Sequence, residues 1–366
     1  MTPGAHVLRR LRRCAAVCAV ALSVTALSAC AGDDGTYVLH YTTYSSPTSD
    51  QSRTVQRWAE EVEERTNGGV RVKFHYSESL IGADESLQAT LDGRADLAQV
   101  GSLYSASDLS MFTVIELPFE TNNPQVQMTA IERLYEENET YRQDFDRQGV
   151  QLLFPLPLGI NLIGVEEPAP TPKDLAGRSI RSGGLTSEAL LAVGANPVAM
   201  TATDIYESME RGVIDGYTSL AIANLSTFGL STNTPYLVDP GIGSYASSIV
   251  VVNSELMESM PPEFQDAIAE ASGHAVANGL SEMDALGEEA CGDLRSTGAN
   301  LTTMPPGDVE AWKERAGIAE GWVDRYTERG YDAESVLADY RRIVREESAR
   351  SRYADPFYAC LEGAER

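Results

Sequence analysis

Beyond residue 30 the chain carries His40, His75 and His274, and no two of them stand at a spacing that closes on a metal ion. There is no Cys-x-x-Cys pair, no G-x-S-x-G elbow, no G-x-x-x-x-G-K-[ST] loop and no G-x-G-x-x-G turn. Lysine occurs only at Lys73, Lys173 and Lys313, which leaves little basis for a lysine nucleophile or a phosphate cradle. Carboxylates abound, yet none is spaced as a general acid/base pair rather than as a solvated face. No catalytic residue, metal ligand or cofactor site is therefore assigned. The residue with most chemistry to offer is Arg181, which closes the short run Arg178-Ser179-Ile180-Arg181. A guanidinium presents parallel N–H groups that match a carboxylate in geometry as well as in charge.

The surrounding pattern places that arginine. Thr36–Tyr41 reads as a strand, followed by the polar loop that holds Tyr44 and Ser45. Val55, Trp58, Ala59 and Val62 recur at helical steps within a helix over 51–67. A strand over 70–76, a helix over 83–92 and a strand over 95–100, ending at Gly101-Ser102, complete a parallel α/β opening. Prolines from Pro155 to Pro172 mark a crossover. A second α/β unit then starts with the strand 178–181, helices over 187–193 and 203–210, and a strand over 213–216. The strand 247–253 is expected to return to the first unit. Residues 261–296, 308–328 and 333–351 read as helices. In α/β units ligands gather outside the carboxyl ends of strands, where Arg181 falls.

Several segments together resemble the solute-binding proteins of TRAP (tripartite ATP-independent periplasmic) transporters, the C4-dicarboxylate-binding, DctP-like family. They are Trp58–Val72, Ser79–Asp96, Leu117-Pro118-Phe119, Pro172–Arg181, Gly194–Met200, Asp204-Ile205-Tyr206, Glu210–Gly216 and Asn253–Ala271. The resemblance implies an α/β, two-lobed periplasmic-binding-protein-like fold with a cleft between lobes and C-terminal helices. Lobe I would comprise 36–158 and 246–286, and lobe II 159–245 and 287–366. It implies that Arg181 clamps the carboxylate of a small organic acid, which is then delivered to membrane permease subunits. Asn161 falls where many relatives carry a second arginine. Tyr217 follows the Asp215-Gly216 turn, and Gly101 stands where some acidic-sugar binders carry glutamate. One lost cation and one added aromatic favour a monocarboxylate with an apolar or hydroxylated tail. Tyr44, Ser45, Ser102 and Tyr245 complete the expected binding set.

The N-terminus supplies an address. Arg9, Arg10, Arg12 and Arg13 precede an apolar run that ends in Leu27-Ser28-Ala29-Cys30. This reads as a lipoprotein signal over 1–29 with lipidation at Cys30, followed by a tether over 30–35. The expected location is the outer face of the cell membrane, held by lipid alone. With 28 Lys+Arg against 54 Asp+Glu the net charge is −26, and loss of the four leader arginines takes it to −30. Such a balance excludes nucleic acid as a partner. Cys291 and Cys360 remain as an even pair suited to a disulfide in an oxidising compartment. The rival readings are a binding lipoprotein of an ATP-driven importer, a secreted α/β hydrolase and an extracellular sensor module.

Overall fold

A computed structural model describes residues 36–244 and 247–364. The expected leader, Cys30 and Tyr245 lie outside the described residues. The strands in chain order are β1 (Tyr37–Thr42), β2 (Val70–His75), β3 (Leu97–Gly101) and β4 (Val150–Leu156). There follow β5 (Leu162–Val165), β6 (Ser179–Arg181), β7 (Asn196–Val198), β8 (Gly216–Leu220), β9 (Tyr236–Asp239), β10 (Ser248–Asn253) and β11 (Asn300–Thr303). They form two sheets, ordered β2-β1-β3-β10-β4 and β11-β9-β5-β8-β6-β7.

In the first sheet β1 is parallel to β2 and β3, while β10 runs antiparallel between β3 and β4. In the second, β6 is parallel to β7 and β8, and β5 is antiparallel to both β8 and β9. Each sheet thus receives a strand from a crossover: β10 returns to the first and β5 enters the second. The fully buried runs Leu97–Gly101 and Gly216–Leu220 suit inner strands covered on both faces.

The helix Asp50–Arg65 shows how the sequence builds a wall. Ser49 caps it by accepting from the Ser52 amide, and Val55, Trp58, Ala59 and Val62 are buried along one stripe. The Trp58 indole donates to Ser272 Oγ at 3.1 Å, so this large ring is buried without an orphaned N–H.

Several elements differ from expectation. The strand read at 213–216 begins instead at Gly216 and continues to Leu220. Gly212, at φ +65°, ends the preceding helix, and the Asp215 carboxylate is held by the Ser179 amide at 2.7 Å. The helix read over 308–328 breaks at Gly317 (φ +54°) into Pro306–Ala316 and Ile318–Glu328. The C-terminal helices do not sit on the second sheet alone. Ala333–Arg350 lies along Pro124–Glu137, where Arg133 pairs with Glu347 at 2.9 Å, and its Arg341 pairs with Glu120, in the segment before that helix, at 2.6 Å. By contrast, the Trp312 indole donates to the Ala189 carbonyl, at 2.7 Å, in the second unit.

The long helix Ala275–Thr297 rises about 34 Å and packs against both Asp50–Arg65 and Ile222–Leu225. Cys291, on this helix, is bonded to Cys360 with an S–S distance of 2.02 Å. No helix among the described residues is long and apolar enough to cross a membrane.

Candidate functional site

The two units face each other across a narrow cleft. One side is built from the loop after β1, the start of the helix that follows it and the turn after β3: Tyr44, Ser45, Ser49, Asp50, Gln51, Ser102 and Tyr104. Here the polar floor is a buried network. Ser45 Oγ lies 2.9 Å from Gln99 Oε1, Gln51 Nε2 donates to the Pro157 carbonyl at 3.1 Å, and Gln99 Nε2 donates to Ser248 Oγ at 3.1 Å. Buried polar groups tied together in this way hold a fixed surface. The rings of Tyr44 and Tyr104 meet edge to face with centroids 5.5 Å apart. Gly101 makes this approach possible, because a Cβ there would stand 2.9 Å from the Tyr104 ring and 3.0 Å from the Tyr44 oxygen.

The facing side carries Arg181, Ser219, Leu220, Asn224 and Phe228. Arg181 is 2 % exposed. Its Nε donates to the Met200 carbonyl at 3.1 Å and its Nη1 to the Thr218 carbonyl at 3.1 Å. These bonds fix the guanidinium plane at the carboxyl end of β6. Tyr104, from the opposite unit, is within hydrogen-bonding reach of this side chain, so Arg181 spans the gap between the lobes. Burial raises the Tyr104 hydroxyl above its ordinary range, and the charge of Arg181 opposes that rise.

Arg181 is the one cation among the lining residues and Asp50 the one anion. Asp50 is completely buried, and desolvation pushes its carboxyl up to about 6. Its Oδ1 accepts from the Gln51 amide at 2.9 Å, whereas Oδ2 has no hydrogen-bond partner. Among the described residues no group of three or more His, Cys, Asp or Glu could hold a metal ion.

Of the residues singled out in the sequence, Arg181, Tyr44, Ser45 and Ser102 line this one cleft. Asn161 and Tyr217 do not. Asn161 lies beneath it: its Oδ1 accepts from the Ser219 amide at 2.7 Å and its Nδ2 donates to Thr186 Oγ1 at 3.2 Å. The amide therefore holds Ser219 at φ +66°, a backbone conformation unusual for serine. Tyr217 points into the core, where its hydroxyl meets Thr234 Oγ1 at 2.7 Å. Its ring covers Gly164, at which any Cβ would come within 2.2 Å of the ring. The aromatic character expected from Tyr217 is supplied instead by Tyr44, Tyr104 and Phe228.

Sequence reasoning missed Tyr104, two residues beyond the noted Ser102. It also missed Asp50, whose position reads as an ordinary acidic helix start. Ser219 lies within β8, the strand whose position was misjudged, Asn224 and Phe228 follow it, and nothing in their pattern marks them.

A cleft between two α/β units, with a polar floor, apolar walls and one buried guanidinium, defines a binding protein for a small solute. The model of the DctP family, described as bacterial extracellular solute-binding protein, family 7, matches residues 41–319, and the chain belongs to that family. The ectoine-binding periplasmic protein TeaA of Halomonas elongata is 23% identical over 294 residues, which cover 78% of this chain and 84% of TeaA. Among solved structures, a marine metagenome TRAP solute-binding protein specific for aromatic acid ligands, in complex with 3-hydroxybenzoate, is similar with a TM-score of 0.77. It is 19% identical, and the match covers 85% of this chain and 98% of that one. A TRAP periplasmic solute-binding protein from Bordetella bronchiseptica, with bound mandelates, gives a TM-score of 0.74 at 23% identity, covering 84% of this chain and 99% of that one. The two-lobed fold expected from the sequence is that of these neighbours.

Proposed function

We propose that the chain is the extracytoplasmic receptor of a TRAP-type secondary transporter, capturing a small monocarboxylate in the interlobe cleft. Arg181 binds the carboxylate and the closed complex delivers it to the membrane permease. The observation that carries this reading is the placement of Arg181. It is buried at a strand end, oriented by two backbone carbonyls, and is the single cation among the residues lining the cleft. Burying a guanidinium is costly unless an anion or well-aimed acceptors compensate it, so the site is suited to a carboxylate guest. Leu103, Leu158, Leu220 and Phe228 add apolar walls that suit a hydrocarbon or aromatic tail. Tyr44, Ser45 and Ser102 meet the solute from the first lobe, and Tyr245, three residues before β10 in the sequence, belongs to the same proposed contact set.

Lobe closure follows from differential affinity: a solute touching both halves stabilises the closed arrangement over the open one. Nothing in this scheme alters the solute covalently. Lipidation at Cys30 holds the receptor on the outer face of the membrane. The test is a thermal-shift screen of organic acids, amines and neutral sugars. Carboxylates should raise the unfolding midpoint selectively, with about 2.7 kcal/mol of stabilisation at a hundredfold excess over Kd. Shifts with amines or sugars and none with acids would overturn the assignment.

A further inference from the structure

Two buried polar atoms in the cleft lack partners, and they come from opposite lobes. Asp50 Oδ2 belongs to the start of the helix after β1, and Ser219 Oγ to the end of β8. Both residues are almost wholly enclosed, Asp50 at 0% exposure and Ser219 at 3%. Orphaned buried polar atoms are uncommon, because each forgoes water without compensation. The usual role of an acid at a helix start accounts for Oδ1, which accepts from the Gln51 amide at 2.9 Å, but not for Oδ2. Nearby charges act on this carboxylate, Glu282 opposing and Arg53 favouring its ionisation, but neither supplies a bond to Oδ2. Arg53, one turn along, pairs with Glu282 of the long helix at 3.7 Å, and Glu282 also takes Arg57. Tyr353 donates instead to Asp284, at 2.6 Å. Ser219, for its part, is kept in its unusual backbone conformation by Asn161.

We infer that Asp50 and Ser219 form a second polar subsite that receives an N–H or O–H donor carried by the same solute whose carboxylate meets Arg181. This rests on the carboxylate reading and narrows it to hydroxy- or amino-substituted monocarboxylates. Charge balance points the same way. Arg181 and Asp50 offset each other among the lining residues, so a plain monoanion leaves one buried negative charge unpaired. A hydroxyl donor would give Asp50 a hydrogen bond, and an ammonium donor would also balance its charge.

The test uses two matched triads, in which one hydrogen is exchanged for hydroxyl or ammonium: phenylacetate, mandelate and phenylglycine, and propionate, lactate and alanine. Affinities are measured calorimetrically at pH 8 for the wild-type protein, Asp50→Asn and Asp50→Ala. Urea unfolding of each variant without ligand verifies that it is folded. In at least one triad, a donor-bearing member is expected to bind at least tenfold more tightly than its parent acid, and Asp50→Ala should erase that preference. If the donor is ammonium, Asp50→Asn should erase it as well; if hydroxyl, the asparagine oxygen should retain most of it. Parent acids binding as well as their substituted partners, or a preference that survives in folded Asp50→Ala, would overturn the subsite while leaving the carboxylate reading intact. Failure of every member of both triads to bind the folded wild type would overturn both.

Discussion

Asp50 lies at the start of a helix, where a carboxylate is ordinarily welcome, yet its burial outweighs the helix dipole and lifts its carboxyl from 3.8 to about 6. The folded state therefore holds this proton more tightly than the unfolded chain does. The stability associated with that proton is fully present below pH 4 and is lost as the pH rises through 6. Asp50→Asn should accordingly stabilise the unliganded protein at pH 8 by roughly 3 kcal/mol and leave it nearly unchanged at pH 4. Urea midpoints at the two pH values measure the effect; an equal change at both would show that the carboxylate's ionisation is not its source. Arg181 was legible in the sequence because it stands at the carboxyl end of a strand, where α/β architecture gathers ligands, and because it matches the arginine of the family's strand motif. The fate of Tyr217 was not legible. In a strand, facing alternates with each residue, and the preference of this ring for the space above Gly164 is a tertiary fact.

At the level of elements, the two crossovers between lobes are joined to each other. Ile160 and Ser244 form an antiparallel bridge, and the Asn161 amide donates to the Gly243 carbonyl at 2.9 Å. Asp355 reaches in from the C-terminal segment and accepts from the Ile160 amide at 2.9 Å. Gly159 sits at the centre of this junction with φ +85°, and a Cβ there would lie 2.5 Å from the Ala221 methyl and 2.9 Å from the Asp355 carboxylate. Gly159→Ala should cost about 2 kcal/mol or more in urea unfolding, through strain and displacement of the junction. A loss below 0.5 kcal/mol would mean that the crossovers yield easily. The prolines at 155–172 disclosed this crossover, but β5, β9 and β11, each of four residues, stayed hidden. Strands so short carry too little alternation to stand out from loops. The break at Gly317 is the converse case: a glycine C-cap was present in the sequence but was read as an interior residue of one long helix.

For the molecule as a whole, charge and covalent closure matter most. A chain of net charge −26 repels an anionic solute at a distance, while Arg181 attracts it only locally. Raising salt from 10 to 150 mM shortens the Debye length from about 30 to about 8 Å. The association rate for a carboxylate should therefore increase with salt in stopped-flow measurements; a steep decrease would require a long-range positive field in the cleft. The Cys291–Cys360 bond closes a loop with a sequence separation of 69 residues. Cys360→Ser should lower stability by about 4 kcal/mol in the chain-entropy model, measured against wild type under oxidising conditions. Family membership was legible because its motifs are spread over most of the chain in a fixed order. The seating of Ala333–Arg350 on the first lobe depends on tertiary packing and on pairs such as Arg133–Glu347, which sequence spacing does not reveal. The most direct test of Arg181 as the carboxylate anchor is calorimetric titration of wild type, Arg181→Lys and Arg181→Ala with the tightest acid from the screen. The expected result is at least a hundredfold loss for alanine in a protein that remains folded, about 2.7 kcal/mol, with lysine retaining only part of the affinity. Unchanged binding in folded Arg181→Ala would contradict it.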